Sequence, residues 1–288
     1  KKNIKISVIG QGYVGLPMSV VLATKSKNYR ILGIEQNNTH GNNLKRLINN
    51  KLIPFDTNDK KLKKKFVEAI NSGKYSVSTN LSEIKNSNVI IVSINADFKN
   101  FNTIKNIQNL FKSISNFTNK NTLIFIESTL PPGACDKYIL PILTKKIKKS
   151  EIKFCYSFER VTPGKNYYDS IINSYRCYSG VNDISKVSGK KFLKSFINYK
   201  KYKLIELPSI VDCETAKIVE NSFRAINIAF IDEWTRFSNK LNINLNSIID
   251  AISLRKTHSN IMRPGVGVGG YCLTKDPGFA NISSKKIF

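Results

Sequence analysis

The stretch that most restricts how this chain can fold lies at its start. Ile4-Lys-Ile-Ser-Val-Ile9 is a short β-branched run, and Gly10-Gln-Gly12-Tyr-Val-Gly15 follows it without a gap. An apolar helical pattern through Met18, Val20, Val21 and Leu22 comes next, then a second strand-like run, Tyr29–Ile34, that ends in Glu35. Strand, glycine turn, helix, strand and acid at this spacing predict one dinucleotide-binding βαβ unit. In such a unit Gly10 makes the turn and Gly12 admits a pyrophosphate to the helix N-terminus, where backbone N–H groups and the helix dipole favour an anion. Gly15 lets helix and strand pack closely, and Tyr13 and Val14 sit in the same loop. Glu35, twenty residues after Gly15, accepts from the adenosine ribose hydroxyls. An acid there selects NAD over NADP, because a 2′-phosphate meets a like charge.

The alternation continues. Residues 39–50, 57–71 and 101–117 read as helices; 75–78, 88–93 and 122–126 read as strands, the last two as continuous apolar runs of the kind buried on both faces. A Lys-rich helical stretch over 140–150 precedes a strand at 153–156, and 175–180, 183–197 and 202–206 add strand, helix and strand. Repeated βα units predict an α/β fold, a doubly wound Rossmann-like parallel sheet with helices on both faces. Ligands of such sheets gather at the carboxyl ends of the strands. That directs attention to Ser93-Ile-Asn95, to Glu127-Ser-Thr-Leu-Pro-Pro-Gly133, and to Ser157-Phe-Glu159-Arg160-Val-Thr-Pro-Gly164.

The first domain is expected to close near Leu207-Pro208, giving 1–207 and 208–288. From Ile210 to Leu241 there is no Gly or Pro, so the second region opens with a helix of ~45 Å at 1.5 Å per residue. It is expected to be all-helical, with this helix as its spine and another over 245–254. Lys217 and Asn221, at i and i+4, project from one face about a turn apart. The region ends in Arg263-Pro-Gly265-Val-Gly267-Val-Gly269-Gly270-Tyr-Cys272-Leu-Thr-Lys275-Asp276. Four glycines leading to one cysteine, with a carboxylate four residues on, suit a loop that brings its backbone close to a ligand and presents a thiol.

Composition excludes more than it assigns. The net charge is 46 − 20 = +26, yet the lysines are spread along the whole chain with abundant Asn and Ile. No Arg/aromatic block stands out, so nucleic acid is not expected as a partner, although a basic field favours an anionic substrate. No run approaches the roughly 18 to 20 apolar residues of a membrane span, and a cytoplasmic protein is expected. Five scattered cysteines without a C-x-x-C pair indicate reduced thiols, with no metal site.

Taken together, five motifs in order resemble the UDP-glucose/GDP-mannose dehydrogenase family. They are Gly10-x-Gly-Tyr-Val-Gly-Leu-Pro17, Ser128–Gly133, Ser157–Gly164, Ala216-Lys-Ile-Val-Glu-Asn221 with Asn227–Glu233, and Gly269–Asp276. The resemblance implies an NAD-dependent four-electron oxidation of a sugar C6 alcohol to a carboxylate, through a covalent intermediate on Cys272, within surface polysaccharide synthesis. It implies that Lys217 and Asn221 stabilise an oxyanion, that Asp276 and Thr129 hold the hydrolytic water, and that Glu159 is an acid/base. Lys275 and Lys217 are expected to favour the Cys272 thiolate. Ser93, Thr129 and Lys275 are expected on the cofactor. Glu159, Arg160, Lys217, Asn221, Arg263 and glycines 265, 267, 269 and 270 are expected on the nucleotide sugar.

Phe158 stands where the family usually has Pro, Ile94-Asn95 where Thr-Pro is common, and Tyr271 where His or Ser is often found. Pro163 replaces a loop glutamate of the UDP-glucose branch, which points to UDP-N-acetylhexosamines (mannosamine or glucosamine type), with UDP-glucose and GDP-mannose as alternatives. The family is expected to dimerise through the 210–241 helix and to continue into a nucleotide-binding α/β domain. The chain stops 288 − 276 = 12 residues after Asp276; lacking that domain, it is expected to bind UDP-sugar poorly and turn over slowly.

Overall fold

A computed structural model of the chain describes residues 3–98 and 101–283. These form two compact units, Lys1–Glu214 and Thr215–Phe288. The first is built on an eight-stranded sheet. Its strands are β1 (Ile4–Ile9), β2 (Tyr29–Ile34), β3 (Tyr75–Ser78), β4 (Val89–Val92), β5 (Leu123–Ile126), β6 (Lys153–Tyr156), β7 (Arg176–Gly180) and β8 (Leu204–Glu206). They lie in the order β3-β2-β1-β4-β5-β6-β7-β8. The first six are parallel, as connections through helices require; β7 runs antiparallel to β6 and β8 parallel to β7. The order reverses between β1 and β4, which places a crevice at their carboxyl ends, at Gly10 and Ser93.

Helices α1 (Gly15–Lys25), α2 (Thr39–Asn49), α3 (Lys60–Asn71), α4 (Phe101–Ser115), α5 (Leu140–Leu143), α6 (Tyr167–Ile172) and α7 (Asp183–Lys194) join the strands. Every residue of β4 and β5 is buried, as expected of strands covered on both faces. α1 is buried over Gly15–Ala23, and its Leu16, Val20 and Val21 share a core with Ile6 and Val8 of β1. Asp59 caps α3 by accepting from Lys61 N and Leu62 N, and its other oxygen accepts from Tyr168 N of α6 at 2.7 Å.

The expected helix over 140–150 is shorter than the composition suggests. A π-helical turn over Cys135–Ile139 leads into α5, which stops at Leu143, with the lysines of 145–149 in turns. A run of like charges with few apolar positions gives a helix little to bury. α6 is only six residues long, too short to stand out in the sequence, and buries Tyr167, Tyr168, Ile171 and Ile172 at helical spacing.

α8 (Ile210–Lys240) starts in the first unit and runs through the second. A turn with Asn242 at φ 54, a conformation Asn tolerates, leads to α9 (Leu245–Ser253), capped by Asn244. Ile231, Leu245 and Ile249 form a small core with Ile261 and Met262. α10 (Tyr271–Lys275) and α11 (Phe279–Ser283) end the described chain. No helix among the described residues is long and apolar enough to cross a membrane.

Candidate active site

The glycine turn after β1 is closed by contacts that only glycine allows. Gly10 has φ +91, and a Cβ there meets the Ser93 carbonyl oxygen at 2.3 Å; a Cβ on Gly15 meets the Gly10 carbonyl oxygen at 1.8 Å. Gly12 differs: nothing lies within 4 Å of where its Cβ would be, and its φ is ordinary. Packing within the protein therefore does not require glycine here, and the space beside its backbone is open. α1 begins at Gly15, after Val14, with no side-chain cap; Leu16 N donates to the Gly12 carbonyl at 3.2 Å and Pro17 has no N–H, so an anion at this helix start is met by the glycine turn that precedes it and by the helix dipole. Glu35, partly buried at the end of β2, accepts from Gln11 N and from Gln36 N at 3.3 Å. An open cradle at Gly12, an uncapped helix start and a carboxylate at the end of β2 fit the pyrophosphate and ribose of a dinucleotide. Tyr13 is exposed, its ring stacked on Phe55 at 4.6 Å, and its carbonyl accepts from the Tyr167 hydroxyl.

The strand ends are tied together beneath this crevice. Ile94 N donates to Ser128 Oγ at 2.8 Å, which fixes the turn after β4 against the loop carrying Thr129. Thr129 and Ser93 are partly exposed. Glu127 and Arg176, both 1% exposed, form an ion pair behind them, and the same guanidinium reaches the Ser157 carbonyl at 3.5 Å. Burial raises the Glu127 carboxyl and the neighbouring Arg176 opposes that. Glu159 Oε2 accepts from Val161 N at 2.5 Å, and the Arg160 guanidinium lies over the Phe158 ring at 5.6 Å. Phe158 is fully buried, so the residue at the usual Pro position anchors its loop by packing.

In the second unit the Cys272 segment is folded, not an open loop. The backbone is irregular from Arg263 to Gly270; Cys272 then lies on the first turn of α10, exposed, with Gly270 at φ +78 before it. No atom lies within 4 Å of a Cβ placed on glycines 265, 267, 269 or 270, so none of them is required by packing. Asp276, 1% exposed, accepts from Asn221 Nδ2 at 2.6 Å, linking α8 to the end of α10. Lys275 Nζ stands 3.3 Å from Asp276 Oδ1, an ion pair without hydrogen-bond alignment, so Oδ1 is left with no hydrogen bond. The same ammonium lies 4.8 Å from the rings of Tyr271 and Phe279. Lys217 is buried at 7% exposure, one turn before Asn221. Arg263 pairs with Asp250 at 2.5 Å.

The remaining thiols contrast with Cys272. Cys135, Cys155, Cys177 and Cys213 are buried, and burial pushes Cys135, Cys155 and Cys213 up, away from the reactive thiolate. No group of three or more His, Cys, Asp or Glu suited to a metal occurs among the described residues.

Two features escape a reading of the sequence. Glu214, fully buried, accepts from Gly133 N at 2.6 Å and Cys135 N at 2.9 Å, and burial pushes its carboxyl up to about 7. An acid near the start of α8, three residues before Lys217, was the available signal. The other is Gln11, whose amide lies between two glycines of the turn; its side chain is fully buried.

Strand order 3-2-1-4-5-6, the glycine turn and the uncapped helix define a dinucleotide-binding α/β protein. Comparison with known families then narrows it. Residues 4–195 match the UDP-glucose/GDP-mannose dehydrogenase family NAD binding domain, and residues 212–286 match that family's central domain. The chain belongs to the UDP-glucose/GDP-mannose dehydrogenase family, and NAD is the cofactor of its first unit. It is 28% identical over 290 residues to a UDP-N-acetyl-D-mannosamine dehydrogenase of Pyrococcus horikoshii, covering 99% of this chain and 66% of that protein. A UDP-glucose 6-dehydrogenase of Campylobacter jejuni is 30% identical, covering 95% of this chain and 66% of that protein. A solved structure of the UDP-D-ManNAc dehydrogenase from Pyrococcus horikoshii superposes with a TM-score of 0.85 at 25% identity, covering 99% of this chain and 66% of the other. The chain thus spans just under two thirds of the length of the relatives it matches.

Proposed function

We propose that the protein is an NAD-dependent nucleotide-sugar 6-dehydrogenase that oxidises the C6 alcohol of a UDP-N-acetylhexosamine to the carboxylate. The observation that supports this best is the 2.6 Å bond from Asn221 to Asp276. It holds together, in one unit, a spine amide, a buried carboxylate with an unsatisfied oxygen, and the segment bearing the exposed Cys272.

Bound NAD⁺ supplies the electron acceptor for each of two successive two-electron oxidations. Between them, the Cys272 thiolate adds to the C6 aldehyde, forming a C–S bond and an oxyanion on O6. The Lys217 ammonium and the second N–H of Asn221 are suited to stabilise that oxyanion, the first N–H being held by Asp276. Oxidation of the resulting thiohemiacetal gives a thioester, which water hydrolyses with release of the thiolate. Asp276 Oδ1, a buried acceptor without a hydrogen bond, suits the orientation of that water. The motifs assign Thr129 to the same water and Glu159 to proton transfer. Arg263, Arg160 and the glycines of 265–270 are assigned to the nucleotide sugar, and Ser93, Thr129 and Lys275 to the cofactor.

For the sugar, Pro163 and the name of the archaeal relative favour UDP-N-acetylmannosamine; the Campylobacter relative keeps UDP-glucose as the second reading. The proposed assembly is a homodimer through α8, in the cytoplasm. Val219, Phe223, Ile226, Phe230, Trp234 and Phe237 are all exposed at spacings of three and four, an apolar stripe along one side of the helix. Incubation with NAD⁺ and a panel of UDP-sugars, followed by NADH absorbance and analysis for uronic acid, tests the activity. Acid from a UDP-N-acetylhexosamine supports the reading; NADH only with UDP-glucose replaces the substrate, and NADH with none rejects the activity.

A further inference from the structure

Gln11 lies inside the glycine turn, yet its side chain points away from the cofactor crevice into the sheet. Its Nε2 donates to the carbonyls of Val8 at 2.8 Å and Gly10 at 3.2 Å. Carbonyls can only accept, so this fixes which end of the amide is which. The other end, Oε1, accepts from the Tyr75 hydroxyl at 2.5 Å and lies 3.3 Å from Ser19 Oγ. Ser19 has one proton and a nearer acceptor, the Gly15 carbonyl at 2.8 Å. Tyr75 is therefore the donor on which Gln11 Oε1 depends. Room for the amide comes from β2, where a Cβ on Gly33 would stand 2.6 Å from Gln11 Cδ.

The backbone of the same residue points the other way. Gln11 N donates to Glu35 Oε1. One residue thus joins β3, through its side chain, to the acid at the end of β2, through its main chain. Burial raises the Tyr75 phenol, with the Glu35 carboxylate as the next cause, so Tyr75 stays a neutral donor and lies within reach of that charge.

We propose that Gln11 and Tyr75 are positioning residues for the dinucleotide: their buried hydrogen bond fixes the glycine turn and, through the Gln11 N–H, the orientation of the Glu35 carboxylate. Three glycines in six residues leave the turn with few side chains of its own to restrain it. Without the anchor, the N–H that orients Glu35 is free to move, and so is the carboxylate. Affinity for the adenosine ribose falls, and with it the repulsion that excludes a 2′-phosphate. The inference rests on NAD being the cofactor of this unit.

Binding constants for NAD⁺, NADP⁺ and nicotinamide mononucleotide, measured by calorimetry on wild type, Tyr75→Phe, Gln11→Met and the double variant, test it. A buried neutral hydrogen bond corresponds to a change of roughly twofold to tenfold. Tyr75→Phe is expected to weaken NAD⁺ about fivefold and Gln11→Met about tenfold, with the double variant no weaker than Gln11→Met. The preference for NAD⁺ over NADP⁺ is expected to fall in parallel and nicotinamide mononucleotide to be unaffected. A scaffold role alone lowers the melting temperature without moving that preference. NAD⁺ affinity within twofold of wild type in Tyr75→Phe, or losses that multiply in the double variant, overturns the proposal. If Gln11→Met does not fold, Tyr75→Phe decides. Wild type that fails to bind NAD⁺ rejects the cofactor assignment itself, and the inference with it.

Discussion

Gly12 and Gly15 sit three residues apart in one turn, yet their replacement by Ala is expected to fail in different ways. A Cβ on Gly15 stands 1.8 Å from the Gly10 carbonyl oxygen, where ordinary contact begins near 3.4 Å. Backbone must therefore separate from backbone by 3.4 − 1.8 = 1.6 Å. Overpacking of this kind costs about 1–3 kcal/mol, partly offset by the better helix propensity of Ala, up to about 1 kcal/mol. With a backbone overlap this large the cost lies at the upper end, leaving a net of about 2 kcal/mol, and at about 2–4 °C per kcal/mol for a unit of this size Gly15→Ala is expected to melt roughly 4–8 °C lower. Gly12→Ala meets nothing within 4 Å and adopts no positive φ, so its melting temperature is expected to stay within about 2 °C of wild type. Its methyl group instead occupies the path of the pyrophosphate, and NAD⁺ is expected to bind about tenfold more weakly or worse. Scanning fluorimetry and calorimetry on the two variants measure both quantities. Equal loss of stability in the two, or unchanged NAD⁺ affinity in Gly12→Ala, refutes the reasoning.

Other outcomes follow from the same geometry. Cys272→Ser is expected to abolish uronic acid formation while leaving NAD⁺ affinity unchanged; product analysis and calorimetry check the two halves. Asp276→Asn keeps the size of the side chain but removes its charge, and is expected to slow thioester hydrolysis by about 10²-fold or more if Asp276 orients the water as a base; rapid-quench detection of the covalent species reads this. The Glu214 carboxyl, near 7 when folded against an ordinary 4.5, contributes stability that is complete below about pH 4.5 and lost as pH rises through about 7. Glu214→Gln cannot titrate, so its melting temperature relative to wild type is expected to rise by several degrees between pH 4.5 and pH 8. Trp234→Lys places a charge in the apolar stripe of α8 and is expected to shift the protein from dimer to monomer in sedimentation velocity.

The sheet was legible because its strands announce themselves. The β1 turn, the apolar runs of β4 and β5 and the glycine-free length of α8 are local patterns that tertiary context only confirms. Less legible was anything whose reason lies across the sheet. Gly33 looks like a weak point in β2 until Gln11 is seen filling its space. Glu127 and Arg176 are 49 residues apart in sequence, and no spacing rule pairs them. Cys272 was visible as a thiol after four glycines, but its place on a helical turn depends on Asp276 being held by Asn221, 55 residues away. The helix expected at 140–150 misread a lysine run, in which charge repulsion and the absence of an apolar face outweigh helix propensity.

The central claim is that one sugar is oxidised twice, with Cys272 carrying the carbon skeleton between the two steps. The most direct measurement is the ratio of NADH formed to UDP-N-acetylhexosamine consumed, with intact mass spectrometry of quenched protein on the same samples. The expected result is two NADH per sugar and a sugar-nucleotide adduct located on Cys272. One NADH per sugar with free aldehyde accumulating, or two without any adduct on Cys272, contradicts the account.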